Sequence, residues 1–384
     1  MNYLQLHSDF IEHSLSGRYI TLDDLVPLFT KLETYCQIEI IGKSVLGKPI
    51  YSCQLGTGKI KILLWSQMHG NESTTTKALF DFINLLNSAT EIGNSLLKKF
   101  TFYCIPMLNP DGALLYTREN ANKVDLNRDS NQLTQPESKV LRKVFDGFKP
   151  HYCYNLHDQR TIFGVENTIK PATVSFLAPS YNEEREFNEV RVKAVNVIVA
   201  MNDVLQEFIP SQIGRFDDSF NSNCIGDQFQ SLNVPTILFE AGHFPGDYNR
   251  EVTRKYLFIA LLSSFEFLSI GKHRNSKMQD YLNIPQNKVF FYDFVYKNVK
   301  INYDNCKIIT NFAVQYKEEL IDNKLLFNAY IVDIGDLKGF IGHFEFDAEG
   351  ELYSDQNKNI PKINQKADFC LGKNKKIVNG LIKM

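Results

Sequence analysis

His69-Gly70-Asn71-Glu72 sets an imidazole and a carboxylate three residues apart, close enough to grip one ion. A distant histidine, His157 in Asn155-Leu156-His157, would complete a set of two imidazoles and one carboxylate. Three protein ligands leave a coordination position open, and that opening separates a zinc site that activates water from one that only holds a fold. The pair also has a plainer explanation, because the helix dipole favours glutamate at any helix N-terminus. Its standing depends on the residues around it.

Asn109-Pro110-Asp111-Gly112 taken alone is a turn signal. Asp125-Leu126-Asn127-Arg128 follows, with Arg118 nine residues before Asn127. Two arginines and an asparagine supply a guanidinium fork and an amide donor, which suits a carboxylate. Glu240 closes the apolar run Thr236-Ile237-Leu238-Phe239. A lone carboxylate is costly to bury at the end of a core strand, which favours a functional acid over a structural one. His243 is read either as a donor supporting Glu240 or as an exposed loop histidine.

The elements that must position these residues alternate. Apolar spacing predicts a helix from Leu22 to about Cys36, two strands between Ile38 and Leu55 around Gly47-Lys48-Pro49, and a strand from Lys61 to Trp65. A helix from Ser73 to Leu86, a strand from Phe100 to Ile105, a helix from Pro136 to Phe148 and a strand from His151 to Leu156 follow. The series ends with helix Asn182 to Phe208, strand Thr236 to Phe239 and helix Asn249 to Leu268. Such alternation implies an α/β fold, a mainly parallel or mixed sheet flanked by helices on both faces. Ligands in such sheets bind beyond the C-terminal strand ends, where His69, Glu72, His157 and Glu240 fall. Beyond Gly271 a polar stretch, Lys272 to Lys288, leads into alternating aromatic and polar residues. The expected organisation is a catalytic domain over residues 1–272 and a small antiparallel, β-rich accessory domain over 285–384.

A net charge of −2 offers no footprint for nucleic acid or anionic membrane, so a peptide or small amide substrate is the expected partner. No run approaches the roughly 20 apolar residues of a membrane span. The seven cysteines are scattered and form no CxxC pair, which predicts that most are reduced, buried thiols. With no basic and apolar leader at the start, the expected location is cytoplasmic. The sequence leaves oligomeric state open.

The ordered motifs HGNE, NPDG, an arginine before DLNR, NLH and LFEAGH resemble the zinc carboxypeptidase family over roughly Leu46 to Leu268. The resemblance implies one Zn2+ per chain held by His69, Glu72 and His157, and Glu240 as the general base acting on zinc-bound water. It implies Arg118 as the residue polarising the scissile carbonyl, and Asn127 with Arg128 as the grip on a substrate's terminal carboxylate. The chain departs from the family in two places. Arg215 to Phe220 carries no tyrosine where many members have one, and Tyr248 is read as packing; Asp158 and Arg160 follow the third ligand, either shaping the pocket or pairing with each other. Asp227 lies about where the family forms its side-chain pocket, where it either favours a basic group or caps a helix. Aspartoacylase-like amidases acting on N-acyl amino acids share the fold and the zinc set, and a binding protein without catalysis is the other alternative.

Overall fold

Ile62 and Leu64 point into one hydrophobic core and Leu63 and Trp65 into another. A strand that alternates between two cores lies inside a sheet covered on both faces, and the computed structural model places it there. The structure describes residues 1–271, 277–303, 306–355 and 359–383. Its first unit comprises residues 1–159 and 165–287, its second residues 160–164 and 288–384. The boundary expected at residue 272 lies outside the described residues.

The first unit holds an eight-stranded sheet. Its strands are β1 (Gln37–Lys43), β2 (Pro49–Leu55), β3 (Ile60–Trp65), β4 (Phe100–Ile105), β5 (Tyr152–Asp158), β7 (Val174–Leu177), β8 (Ile213–Arg215) and β9 (Thr236–Ala241). They run in the order β1-β2-β4-β3-β5-β9-β7-β8. The short strands β6 (Phe163–Val165) and β10 (Asn287–Val289) lie where the chain passes between units. Pairs β4–β3, β3–β5, β5–β9 and β7–β8 are parallel. The β1–β2, β2–β4 and β9–β7 pairs are antiparallel, so the sheet is mixed.

Helices α1 (Tyr3–Phe10), α2 (Leu22–Leu32), α3 (Thr74–Leu86), α4 (Glu91–Lys99), α7 (Glu189–Leu205), α9 (Glu251–Ile270) and α10 (Met278–Leu282) line one side, with Phe29, Phe82, Ile198, Phe258 and Tyr281 in its core. On the other side α6 (Pro136–Phe148) and α8 (Ile225–Ser231) contribute Phe145 and Phe229, stacked at 3.9 Å between centroids. Each such fully buried side chain contributes roughly 1.5–3 kcal/mol. α7 begins at Glu189 rather than Asn182 because the Asn188 side chain caps the Arg191 N–H. Strands β7 and β8 were not expected; four and three residues carry too little periodicity to read.

The second unit is β-rich. β11 (Phe291–Tyr303), β12 (Cys306–Ile321), β13 (Lys324–Gly335) and β14 (Ile341–Asp347) form a sheet in the order β13-β12-β11-β14. The expectation of a wholly antiparallel domain is corrected here, because β14 pairs with β11 in parallel. Alternation fixes which face a residue occupies, not the direction of the neighbouring strand. β15 (Tyr353–Ser354), β16 (Phe369–Leu371), β17 (Lys375–Val378) and β18 (Leu381–Lys383) make a small antiparallel sheet. Tyr296, Phe312, Tyr353 and Phe369 form an aromatic core between them.

Candidate active site

Past Trp65 the chain leaves β3 through residues 66–73 and enters α3 at Thr74, which puts His69 and Glu72 at a C-terminal strand end. The NPDG segment holds this loop in place. Asn109 donates its backbone N–H to the Gln67 carbonyl at 3.0 Å and its amide to the Met68 carbonyl at 3.2 Å. A Cβ on Gly70 would lie 1.9 Å from the Gly112 carbonyl carbon, so only glycine permits the approach. The segment is not a turn: Asn109 caps α5 (Pro110–Leu115), accepting from the Gly112 N–H at 2.8 Å.

The ligand atoms converge. His69 Nδ1 lies 2.8 Å from Glu72 Oε1, His157 Nδ1 lies 2.7 Å from Glu72 Oε2, and the two ring nitrogens are 3.1 Å apart. His69, Glu72 and His157 each offer a ligand atom within 4.8 Å of the others, and all three are buried. Two ring nitrogens so close cannot both carry a proton toward each other, whereas a divalent cation would use both lone pairs and the carboxylate. The opposite ring nitrogen of His69, Nε2, lies 3.0 Å from Asp125 Oδ1. That carboxylate fixes Nδ1 as the nitrogen facing the cluster, as outer carboxylates do for metal-binding histidines. The donor set therefore fits zinc.

Charge reinforces the fit. Burial would raise the Glu72 carboxyl, but the His69 and His157 imidazoles outweigh it and hold it well below the usual range. Asp125 likewise resists burial through its hydrogen bond and attraction to His69, then through Arg118, and stays low. Burial lowers His157, whereas at His69 the pull of Glu72 and Asp125 overcomes burial and raises it. Arg118 donates through Nε to Asp125 Oδ2 at 3.0 Å and through Nη1 to Glu72 Oε1 at 3.3 Å, its side chain half exposed.

Glu240 on β9 is in register with His157 on the adjacent parallel strand β5. Among the described residues its carboxylate has no hydrogen-bond or ion-pair partner. Burial pushes its pKa well up, Glu72 and Asp158 add to that, and Arg118 and Arg250 oppose it. The Arg250 guanidinium donates to the Ala241 and Gln159 carbonyls, tying together the strand ends that carry Glu240 and His157.

Asn127 and Arg128 lie on one turn of 3-10 helix capped by Asp125. Asn127 Oδ1 accepts from the Ile225 N–H at 3.1 Å, leaving its amide nitrogen as a donor, and Arg128 is exposed. Asp227 is not the α8 cap, which is Cys224; Asp227 Oδ2 accepts from the Asn221 N–H at 2.9 Å. Burial pushes Asp227 up to about 6. Asp158 is directed not at Arg160 but at Thr74, accepting from its N–H at 3.1 Å and its hydroxyl at 2.5 Å. His243 is no exposed loop residue: it is fully buried against Tyr248, a packing tyrosine, at 4.8 Å between ring centroids. Sequence reasoning missed Asp125, whose only signal is its place ahead of Leu126-Asn127-Arg128, and Arg250, which has none.

Comparison with known proteins supports the family resemblance. Residues 25–205 match the zinc carboxypeptidase family model. Carboxypeptidase 2 of Trichophyton tonsurans is 27% identical over 116 residues, covering 30% of this chain and 20% of that protein. Carboxypeptidase SOL1 of Arabidopsis thaliana is 28% identical over 150 residues, covering 33% and 30%. The chain thus spans about a fifth to a third of the length of these relatives. A metallo-carboxypeptidase from Burkholderia cenocepacia superposes with a TM-score of 0.54 at 15% identity, over 66% of this chain and 70% of that one. Carboxypeptidase A of Helicoverpa armigera gives 0.53 at 15%, over 71% and 80%. At such identity these structures speak to fold alone, and the fold is that of the zinc carboxypeptidases. The matched region contains His69, Glu72, Arg118, Asn127, Arg128 and His157; Glu240 lies beyond it.

Proposed function

We propose that the protein is a metallocarboxypeptidase that binds one zinc through His69, Glu72 and His157 and removes C-terminal residues from a peptide or peptide-like substrate. Bound zinc would supply a Lewis acid that lowers the pKa of water and polarises the scissile carbonyl. Glu240 takes the proton of the attacking water and returns it to the leaving amine. Arg118, released from Glu72, turns its N–H groups toward the developing oxyanion. The Asn127 amide and the Arg128 guanidinium hold the terminal carboxylate, which sets the bond to be cut. Asp227 is occupied in part by the Asn221 N–H, which argues against a pocket dedicated to basic side chains. The seven cysteines are all unpaired, in keeping with a reducing, cytoplasmic location, and no helix among the described residues is long and apolar enough to cross a membrane.

The observation that carries this reading is the unpartnered Glu240 carboxylate beside the ligand cluster. Glu240→Gln should lower kcat by at least about 100-fold while metal analysis still finds about one zinc per chain. Turnover intact in this variant would refute the mechanism, and release of acyl groups alone from N-acyl amino acids would assign the site to an amidase.

A further inference from the structure

The register of β1 on β2 sets Ile38 opposite Cys53. Cys36, two residues before Ile38, therefore shares its side of the hairpin and is the diagonal neighbour of Cys53. The two sulfurs are 3.2 Å apart, with the Cys53 thiol donating to Cys36 Sγ. Cys36 in turn donates to the Leu32 carbonyl at the end of α2, also at 3.2 Å. The pair is asymmetric in access: Cys36 is partly exposed, whereas Cys53 is fully buried. It is asymmetric in acidity as well. The Cys53 hydrogen bond lowers the Cys36 pKa despite burial, and the same bond together with burial raises that of Cys53. A partly exposed and more acidic thiol thus lies against a fully buried one, an arrangement suited to a reactive and a resolving thiol.

We propose that Cys36 and Cys53 form a reversible redox pair, in which a hydroperoxide oxidises Cys36 and Cys53 then closes a disulfide that staples the β1–β2 hairpin. In the first step the Cys36 thiolate attacks the peroxide oxygen. An S–O bond forms, the O–O bond breaks, and the departing oxygen takes a proton to leave as water or alcohol. In the second step Cys53 Sγ bonds to Cys36 Sγ, the S–O bond breaks, and the leaving oxygen departs as water with the Cys53 proton. Two thiols lose two electrons and two protons, and the hydroperoxide is reduced. Nothing in this step uses the proposed active site. Cys104, in register with Cys53 on β4, is the competing partner, and its larger burial keeps it from initiating.

The test treats the full chain with stoichiometric hydrogen peroxide and maps its peptides without reduction. The expected product is one cross-linked peptide pair joining positions 36 and 53, lighter by two hydrogens and reopened by dithiothreitol. The cross-link should raise Tm by roughly 5 °C. Cys36→Ser, at a partly exposed position, should abolish both changes, and Cys104→Ser should leave both in place. Oxidation stopping at a sulfinic acid on Cys36, a link between Cys53 and Cys104, or thiols all still open to alkylation after unfolding would each overturn the proposal.

Discussion

An acid on a core strand occurs in each unit, fully buried as Asp293 and partly buried as Glu240, and the two are opposite cases. Asp293 on β11 is fully buried and accepts from the Gln315 amide and, at 2.7 Å, from the Tyr316 N–H. Its charge is met by donors that strand pairing brings to it. Glu240 on β9 meets no donor, and its nearest charges include the like-charged Glu72 and Asp158. Burial of a carboxylate is therefore no mark of function. A carboxylate left without a partner at a strand end, beside two imidazoles and a third acid, is a cost with no structural return.

The contrast can be broken by substitution. The largest effect on turnover belongs to Glu240→Gln, as above. The largest effect on stability falls on another paired acid, Asp81 on α3, which both Nε and Nη2 of Arg254 engage at 2.7 and 2.6 Å. Arg254→Met removes both guanidinium contacts and leaves Asp81 buried with only the Glu12 N–H and His7 beside it, so thermal or urea unfolding should show a loss of about 3–5 kcal/mol. Burial would raise the Asp81 pKa, but hydrogen bonds from His7 and Arg254 lower it below the ordinary value. Its contribution to stability is thus complete above the unfolded pKa of about 3.9 and is lost as pH falls through the lower folded value. The wild type should weaken over that acid range, and Arg254→Met should weaken less steeply.

Asp293→Ala should cost about 1–3 kcal/mol by leaving the Gln315 and Tyr316 donors unmet, with kcat per folded molecule unchanged. A fall in kcat matching that of Glu240→Gln would erase the distinction between the two acids. One further effect has the opposite sign. Asp227 has a folded pKa near 6, above that of the unfolded chain, so its ionisation opposes folding as pH rises from about 4 to 6. Asp227→Asn keeps an oxygen for the Asn221 N–H and should gain at most about 3 kcal/mol above pH 6, and nothing below pH 4.

Much of the site was legible because its residue types conflict with their setting. A histidine three residues from a glutamate after a strand, and a glutamate closing Thr236-Ile237-Leu238-Phe239, stand out against apolar surroundings. Strand ends could be read because β3, β4, β5 and β9 are mainly apolar runs that end in or run into polar residues. What escaped depends on contacts between distant segments. The bond from Asp125 to His69, the backbone contact of Gly70 with Gly112, and the meeting of Cys36 with Cys53 each need a register or a loop path that spacing does not encode. The parallel partner of β11 was hidden for the same reason, and the start of α7 moved because a cap, not periodicity, fixes it.

Digesting a peptide library with the zinc-loaded protein and reading the products by mass tests the proposed carboxypeptidase activity. A carboxypeptidase should remove single residues from free C-termini, leave C-terminally amidated peptides uncut, and give no products after zinc is removed by a chelator. Cleavage inside peptides, equal cleavage of amidated and free C-termini, or activity that persists without zinc would contradict it.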